Sequence, residues 1–561
     1  MERIWTSAYE EGIPGDVNVE QYNSLIEVLE ESFKKFKDHE SFYCMGKCFT
    51  YGELDLLTKK FASYLQNDLG LKKGDRVALM MPNILQYPIA LFGILRAGLT
   101  AVNVNPLYTA RELEHQLNDS GATTIIIFKN SAATLQEVVK NTSVKNIITT
   151  GIGDLLGFPK SLIVNFVIKN VKKMVPDYHL PQEKDFKTVL FDASSDHYSR
   201  PEDVVLNDVA FLQYTGGTTG VSKGAVLTHG NIVANIVQAR TWIGNYLEEG
   251  KECIITPLPL YHIFSLTANC LVFATMGAKN ILITNPRDLP GFVKELGKHN
   301  FTALTGVNTL FNGLLNNPEF KDLNFSSLKL TLGGGMAVQK PVAEKWKEVT
   351  GVPLIEAYGL TETSPAACIN PMNLPAYNGK IGIPIPSTDM AILDDDGKTL
   401  DVGEVGEIAI KGPQVMQGYW NRPEETAKVM TDNGFFKTGD IGFMDEKGYF
   451  QIVDRKKDMI LVSGFNVYPN EVEEVVVSHP KVLEAAAIGV PDEKSGEVVK
   501  LFIVKKDANL TEEELKTFCK ENLTGYKVPK LFEFRDDLPK TPVGKILRKD
   551  LRNEEAAKVN P

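Results

Sequence analysis

The residues best suited to chemistry lie in one run, Tyr214-Thr215-Gly216-Gly217-Thr218-Thr219-Gly220-Val221-Ser222-Lys223-Gly224, directly after the apolar stretch Val209-Ala210-Phe211-Leu212. Glycines let a backbone close around phosphate oxygens, threonines add hydroxyl donors, and Lys223 adds a mobile positive charge. The spacing is not that of a Walker A loop, because the residue before Lys223 is Ser222 rather than glycine. At ordinary residue frequencies a Gly/Thr linker would match eight such fixed positions with odds on the order of 10⁻¹⁰. The run predicts a phosphate-binding loop at the end of a strand.

Further short motifs follow in order. They are Pro257-Leu258-Pro259-Leu260-Tyr261-His262, Gly333-Gly334-Gly335, Tyr358-Gly359-Leu360-Thr361-Glu362 and Thr438-Gly439-Asp440. The charged run Asp454-Arg455-Lys456-Lys457-Asp458 and the terminal Pro539-Lys540-Thr541-Pro542-Val543-Gly544-Lys545 complete the set. Each alone is weak; together they span nearly the whole chain. With the glycine-rich loop they make the sequence resemble the adenylate-forming superfamily of acyl-CoA synthetases, luciferases and peptide-synthetase adenylation domains.

The resemblance implies an enzyme that joins a carboxylic acid to AMP and then passes the acyl group to coenzyme A. Two anions meet at the α-phosphorus, so cationic side chains and Mg²⁺ are required. It implies an ATP/AMP site of Tyr214, Thr215, Gly216, Gly217, Thr218, Thr219, Gly220, Lys223, Gly334, Gly335, Tyr358, Gly359, Thr361, Asp440 and Arg455. Thr215 and Glu362 would hold Mg²⁺, a hard ion that prefers oxygen ligands. Tyr358 would stack on adenine, and Asp440 would accept two hydrogen bonds from ribose, with Arg455 as the second ribose or phosphate contact. Glu362, His262 and Lys545 form the catalytic set. His262 borders the acyl carboxylate in this reading; a satisfied core histidine is the alternative. Asp454 and Lys457 would be the hinge about which a small domain turns, withdrawing Lys545 and presenting Ser463, Gly464 and Phe465 to CoA.

Three segments resemble bacterial long-chain fatty-acyl-CoA synthetases in particular: residues 111–120, 412–416 and 460–469. The fatty-acyl signature runs Asn433-Gly434-Phe435-Phe436-Lys437-Thr438-Gly439-Asp440, with Phe435 where that family usually has Trp. Long acyl chains reward a deep apolar tunnel, because each buried methylene contributes about 0.8 kcal/mol. Residues 263–273 are apolar enough to line one, as any core segment would be. Rival readings are a medium-chain or aromatic acid–CoA ligase, and a catalytically silent acyl-binding or membrane transport module.

The elements that must position these groups alternate apolar β-type runs, such as Ala122 to Phe128, with helical patterns from about Ser24 to Val453. Such alternation predicts an α/β fold with mostly parallel sheets. Turn signals at Asp394-Asp395-Asp396-Gly397 and Asp445-Glu446-Lys447-Gly448 bracket a small β-rich subdomain. Beyond the charged run comes a small mobile α+β unit. It has a helix near 470–479, strands at 485–490 and 498–504, and a helix begun by the capping box Thr511/Glu514. The expected division is residues 1–454, a hinge at 455–458, and 459–561.

The 561 residues carry a net charge of −11, which argues against nucleic acid as a partner. The six cysteines contain no CxxC pair, so free thiols in a reducing compartment are expected. The N-terminus has neither a basic n-region nor an apolar h-region, which argues against a cleaved signal. No apolar stretch reaches about 18 residues. Residues 160–175, if helical, collect Val164, Val167, Ile168, Val171, Met174 and Val175 on one face, opposite Asn165, Lys169, Lys172 and Lys173. Core packing and contact with an anionic membrane both fit that pattern. The composite expectation is a cytoplasmic enzyme using fatty acid, ATP and CoA, with peripheral contact at the inner face of the cytoplasmic membrane as the further reading.

Overall fold

The computed structural model describes residues 3–215, 222–463, 465–492, 494–542 and 544–559. Among them the chain forms four sheets. An eight-stranded sheet runs in spatial order Gly418–Tyr419, Lys223–Thr228, Val209–Thr215, Thr100–Asn103, Arg76–Met80, Thr124–Phe128, Asn146–Thr150 and Lys184–Asp185. Its pairs are parallel from Val209–Thr215 to the Lys184–Asp185 edge. The nine-stranded sheet is parallel through its middle, from Glu40–Cys44 to Leu354–Gly359, and antiparallel at both edges. Strands buried on both faces read as continuous apolar runs, which is why Thr124–Phe128 is buried throughout. Helices fill the faces, and the apolar Gln86–Arg96 helix is buried on every side.

The β-rich subdomain is an antiparallel sheet of Asp389–Leu393, Gly406–Lys411, Phe436–Met444 and Phe450–Arg455. Beyond it the expected α+β unit folds around its own core, with a Pro469–Val477 helix on the Val482–Asp492 and Gly496–Lys505 strands. Thr511 caps the Glu512–Asn522 helix by accepting from the Glu514 N–H. All six cysteines are free.

Core packing accounts for only part of residues 160–175: Val164, Val167, Ile168 and Val175 are half-buried, while Val171 and Met174 are exposed. The segment is a helix, Lys160–Phe166, continued by a π-helical turn, Val167–Val171. Its inner side carries a polar anchor beside Val164, which packs on the core: Asn165 accepts from the Gly153 N–H at 2.9 Å and donates to Asp154 at 2.7 Å. Phe158, Leu162, Ile163, Phe166, Val171 and Met174 are each more than half exposed. Pulling Asn165 inward turns those residues out, and the wider π turn shifts the phase of everything after it.

Candidate active site

The strand leading into the glycine-rich loop and the one leaving it pair antiparallel, with Thr215 opposite Lys223. The Ser222 hydroxyl donates to the Thr215 carbonyl at 2.5 Å, closing the neck of the loop. Gly216, Gly217, Thr218, Thr219 and Gly220 lie outside the described residues, as does Gly464. Tyr214, expected at the nucleotide, is instead a buried strut that donates to Asp119 at 2.7 Å. Arg422 and the Trp420 indole also bind Asp119, at 2.9 and 3.1 Å.

Glu362 sits on a short helical turn, Thr361–Thr363, after the Leu354–Gly359 strand. Gly359 is obligatory at that corner, because a Cβ there would lie 1.7 Å from the Pro365 carbonyl oxygen. The Glu362 carboxylate is buried, and burial raises its pKa. It accepts a 2.7 Å hydrogen bond from the Tyr419 phenol. Among the described residues no lysine, arginine or histidine forms an ion pair with it, nor is there a cluster of three metal-ligating side chains. A buried carboxylate with no ion-pair partner among the described residues, near the Lys223 and Arg455 charges, fits a hard cation that takes most of its ligands from phosphate and water.

Asp440 and Arg455 face each other across antiparallel strands, with Arg455 Nε 3.2 Å from the Asp440 carboxylate. The other Asp440 oxygen accepts from the buried Tyr358 hydroxyl at 2.6 Å. Gly334 lies close to Phe264 and the Ala357 carbonyl, and Gly335 is exposed. His262 accepts the Phe264 N–H at Nδ1 (3.4 Å), which leaves Nε2 as the protonated nitrogen. Protein atoms crowd the ring, and burial followed by the nearby Lys545 charge pushes its pKa down to about 4.

Lys545 reaches this site from the small domain on a tight turn. The Thr541 N–H donates to the Lys545 carbonyl at 2.7 Å, and Thr309 of the large domain donates to the Gly544 carbonyl at 3.0 Å. Gly544 has φ +85°, and a Cβ would meet Thr309 Oγ1 at 2.8 Å, so only glycine suits the position. Burial, then Arg455, lowers the Lys545 pKa to about 7.

The charged run is built around Arg548. Its guanidinium meets Asp454, Asp458 and Glu473, and burial raises the Asp454 pKa to about 6. Lys457 is exposed, its pKa lowered to about 8 by desolvation and then Arg455. Ser463 and Phe465 are exposed; Phe465 stacks on Tyr526 with ring centroids 4.9 Å apart. The structure thus gathers Glu362, Asp440, Arg455, His262 and Lys545, and leaves Ser463 and Phe465 at the surface. Tyr419 and Arg548 were missed, and Asp119 was seen only as part of the 111–120 segment. The sequence signal at Tyr419 was an aromatic pair ahead of a charged, proline-started turn, Gly418-Tyr419-Trp420-Asn421-Arg422-Pro423.

Residues 29–420 match the AMP-binding enzyme family. The chain belongs to that family. Residues 471–545 match the AMP-binding enzyme C-terminal domain. This AMP-binding enzyme is 58% identical over 555 residues to the long-chain-fatty-acid–CoA ligase of Yersinia pestis, covering 99% of this chain and 98% of that one. It is 57% identical over 560 residues to the ligase of the same name from Escherichia coli O6:H1, covering 100% of both. Among solved structures it resembles ATP-bound MatB from Rhodopseudomonas palustris with a TM-score of 0.82 (27% identity, covering 95% of this chain and 99% of that one). Apo MatB from the same organism gives 0.71 at 27% identity, covering 96% and 99%.

Proposed function

We propose that the chain is a long-chain fatty-acid–CoA ligase that forms acyl-CoA, AMP and pyrophosphate through an acyl-adenylate. The observation that carries this reading is the Arg455–Asp440 pair at 3.2 Å, with Lys545 of the small domain buried near enough to feel both charges. Full-length relatives bearing that name at 57–58% identity support the substrate class.

In the first half-reaction a carboxylate oxygen of the acid attacks the α-phosphorus of ATP, and pyrophosphate leaves. Lys223 and the loop take the β- and γ-phosphates; Asp440 holds the ribose hydroxyls with Tyr358 and Arg455 fixing its orientation. Neutral His262 borders the acid and adds no competing charge to the approaching anions. Lys545, protonated as the phosphate charge arrives, offsets the growing charge at the α-phosphorus. Glu362 and Thr215 would hold Mg²⁺, which neutralises phosphate oxygens when bound.

In the second half-reaction the CoA thiolate attacks the acyl carbon and expels AMP. We assign the hinge to residues 455–458, about which Asp454 and Lys457 would turn, dividing residues 1–454 from 459–561, with the Ser463–Phe465 loop as the CoA contact. The higher similarity to the ATP-bound than to the apo MatB structure supports the present arrangement as the adenylating one. Pyrophosphate release across fatty acids of graded length, with and without CoA, tests the reading. Activity should rise toward long chains, and equal activity on benzoate would refute it.

The exposed Phe158–Met174 face favours peripheral membrane contact as a second property. Its apolar side chains stand beside exposed Lys169, Lys172 and Lys173, which suits an anionic lipid surface. Among the described residues no helix is long and apolar enough to cross a membrane.

A further inference from the structure

One bracket of chain touches both the strand that leaves the glycine-rich loop and Glu362. The Met416 N–H donates to the Glu362 carbonyl at 2.8 Å, and the Tyr419 phenol donates to the Glu362 carboxylate at 2.7 Å. The same segment is sewn to the strand leaving the loop. Gly418 pairs with Val226 and Tyr419 with Ala225, and the Trp420 N–H donates to the Gly224 carbonyl at 2.8 Å. The Lys223 ammonium stands 4.4 Å from the centre of the Tyr419 ring and 3.1 Å from Glu425. Tyr419 is itself held from below, its N–H donating to Thr426 at 2.9 Å.

The arrangement does more than fill space. A buried carboxylate held by a phenol and by its own backbone N–H has its rotation restricted, and keeps lone pairs for another partner. A cation over the ring face withdraws electron density from the phenol and strengthens it as a donor. The loop lysine and the acidic ligand thus share one aromatic side chain that need not touch substrate.

We propose that Tyr419 is a positioning residue that couples Lys223 to Glu362, fixing the carboxylate in the orientation that receives the divalent cation of the bound nucleotide. This rests on the reading of Glu362 as a metal ligand, and the experiment separates the two. Mn²⁺ binding to the full-length protein saturated with α,β-methylene-ATP is measured by water-proton relaxation for wild type, Tyr419→Phe, Glu362→Gln and Tyr246→Phe. Tyr246 also donates from its phenol to a carboxylate, that of Glu10 at 2.6 Å, and serves as the control for a generic loss of such a bond.

Losing an outer-shell partner of a metal ligand typically weakens the metal roughly 10–100-fold. Tyr419→Phe should therefore weaken Mn²⁺ binding about tenfold or more. It should raise the Mg²⁺ concentration for half-maximal pyrophosphate exchange in parallel and leave KM for the fatty acid unchanged. Tyr246→Phe should match wild type. Tyr419→Phe with wild-type Mn²⁺ affinity, while Glu362→Gln loses it, overturns the inference alone. Wild-type affinity in Glu362→Gln overturns the metal reading beneath it. A Tyr419→Phe protein whose KM for the fatty acid rises as much as its Mg²⁺ requirement has a general packing defect, which also refutes the specific role.

Discussion

Nucleotide binding should draw a proton onto Lys545, and the size of the effect follows from its surroundings. In the free enzyme, burial and then the Arg455 charge hold the lysine near pKa 7. At pH 8 the free side chain is therefore about 90% neutral. A lowered lysine pKa means the empty site disfavours the charged form; arriving phosphate reverses that and raises the pKa back toward its ordinary value. Binding at pH 8 should then take up about 0.9 proton at this residue, falling to about 0.5 at pH 7 and to about 0.1 at pH 6. Lys457, with a pKa of about 8, can also take up protons, so the quantity to read is the difference between wild type and Lys545→Ala. Titration calorimetry of α,β-methylene-ATP in buffers of different ionisation enthalpy measures it. Equal uptake by the two proteins at pH 8, or a difference that grows toward pH 6, would refute the placement of Lys545 beside the phosphates.

Other perturbations have definite outcomes. Asp440→Asn keeps the shape but strips Arg455 of its charged partner and weakens the ribose acceptor; KM for ATP should rise roughly 10–100-fold with unchanged circular dichroism, and a KM within twofold of wild type would contradict the assignment. Arg548→Met leaves Asp454, Asp458 and Glu473 without their shared cation and should destabilise the small domain by roughly 3–5 kcal/mol; hydrogen exchange in residues 459–559 should speed up, and unchanged exchange would count against a stabilising role for this ion cluster. Replacing Lys169, Lys172 and Lys173 by Glu should weaken sedimentation with anionic vesicles, each lysine contributing about 1 kcal/mol, and Phe166→Ser should weaken it on neutral vesicles as well. Unchanged sedimentation of both variants would return the face to plain solvent exposure.

Much of this architecture was legible because local signals and fold agree. The Val209–Leu212 run is a strand, parallel to one neighbour and antiparallel to the other; the turns at 394–397 and 445–448 lie within the antiparallel sheet, which extends one strand beyond each; and Thr511 does cap its helix. The site was legible as motifs but not as contacts. Asp440 and Arg455 are 15 residues apart, and only the antiparallel register puts them face to face. Tyr214 and Tyr358 lie in nucleotide motifs, yet both hydroxyls are spent on carboxylates, which depends on neighbours from Asp119 and Asp440. Tyr419 was invisible because its partners are 57 and nearly 200 residues away in sequence. The apolar face expected over 160–175 was only partly right: Val171 and Met174 are exposed, but Leu162, Ile163 and Phe166 stand out where Val164, Val167 and Ile168 were expected, because Asn165 turns inward and the helix widens.

The central claim is that Lys545 serves adenylation and is absent from the thioester step. Its direct test is to assay Lys545→Ala on the two half-reactions separately, as fatty-acid-dependent pyrophosphate release and as conversion of supplied acyl-AMP plus CoA into acyl-CoA. Removing one preorganised donor from a developing charge costs about 10²–10³ in rate, so pyrophosphate release should fall by that factor while thioester formation stays within a few-fold of wild type. Equal losses in both steps would contradict a small domain that swings Lys545 out of the site before CoA reacts.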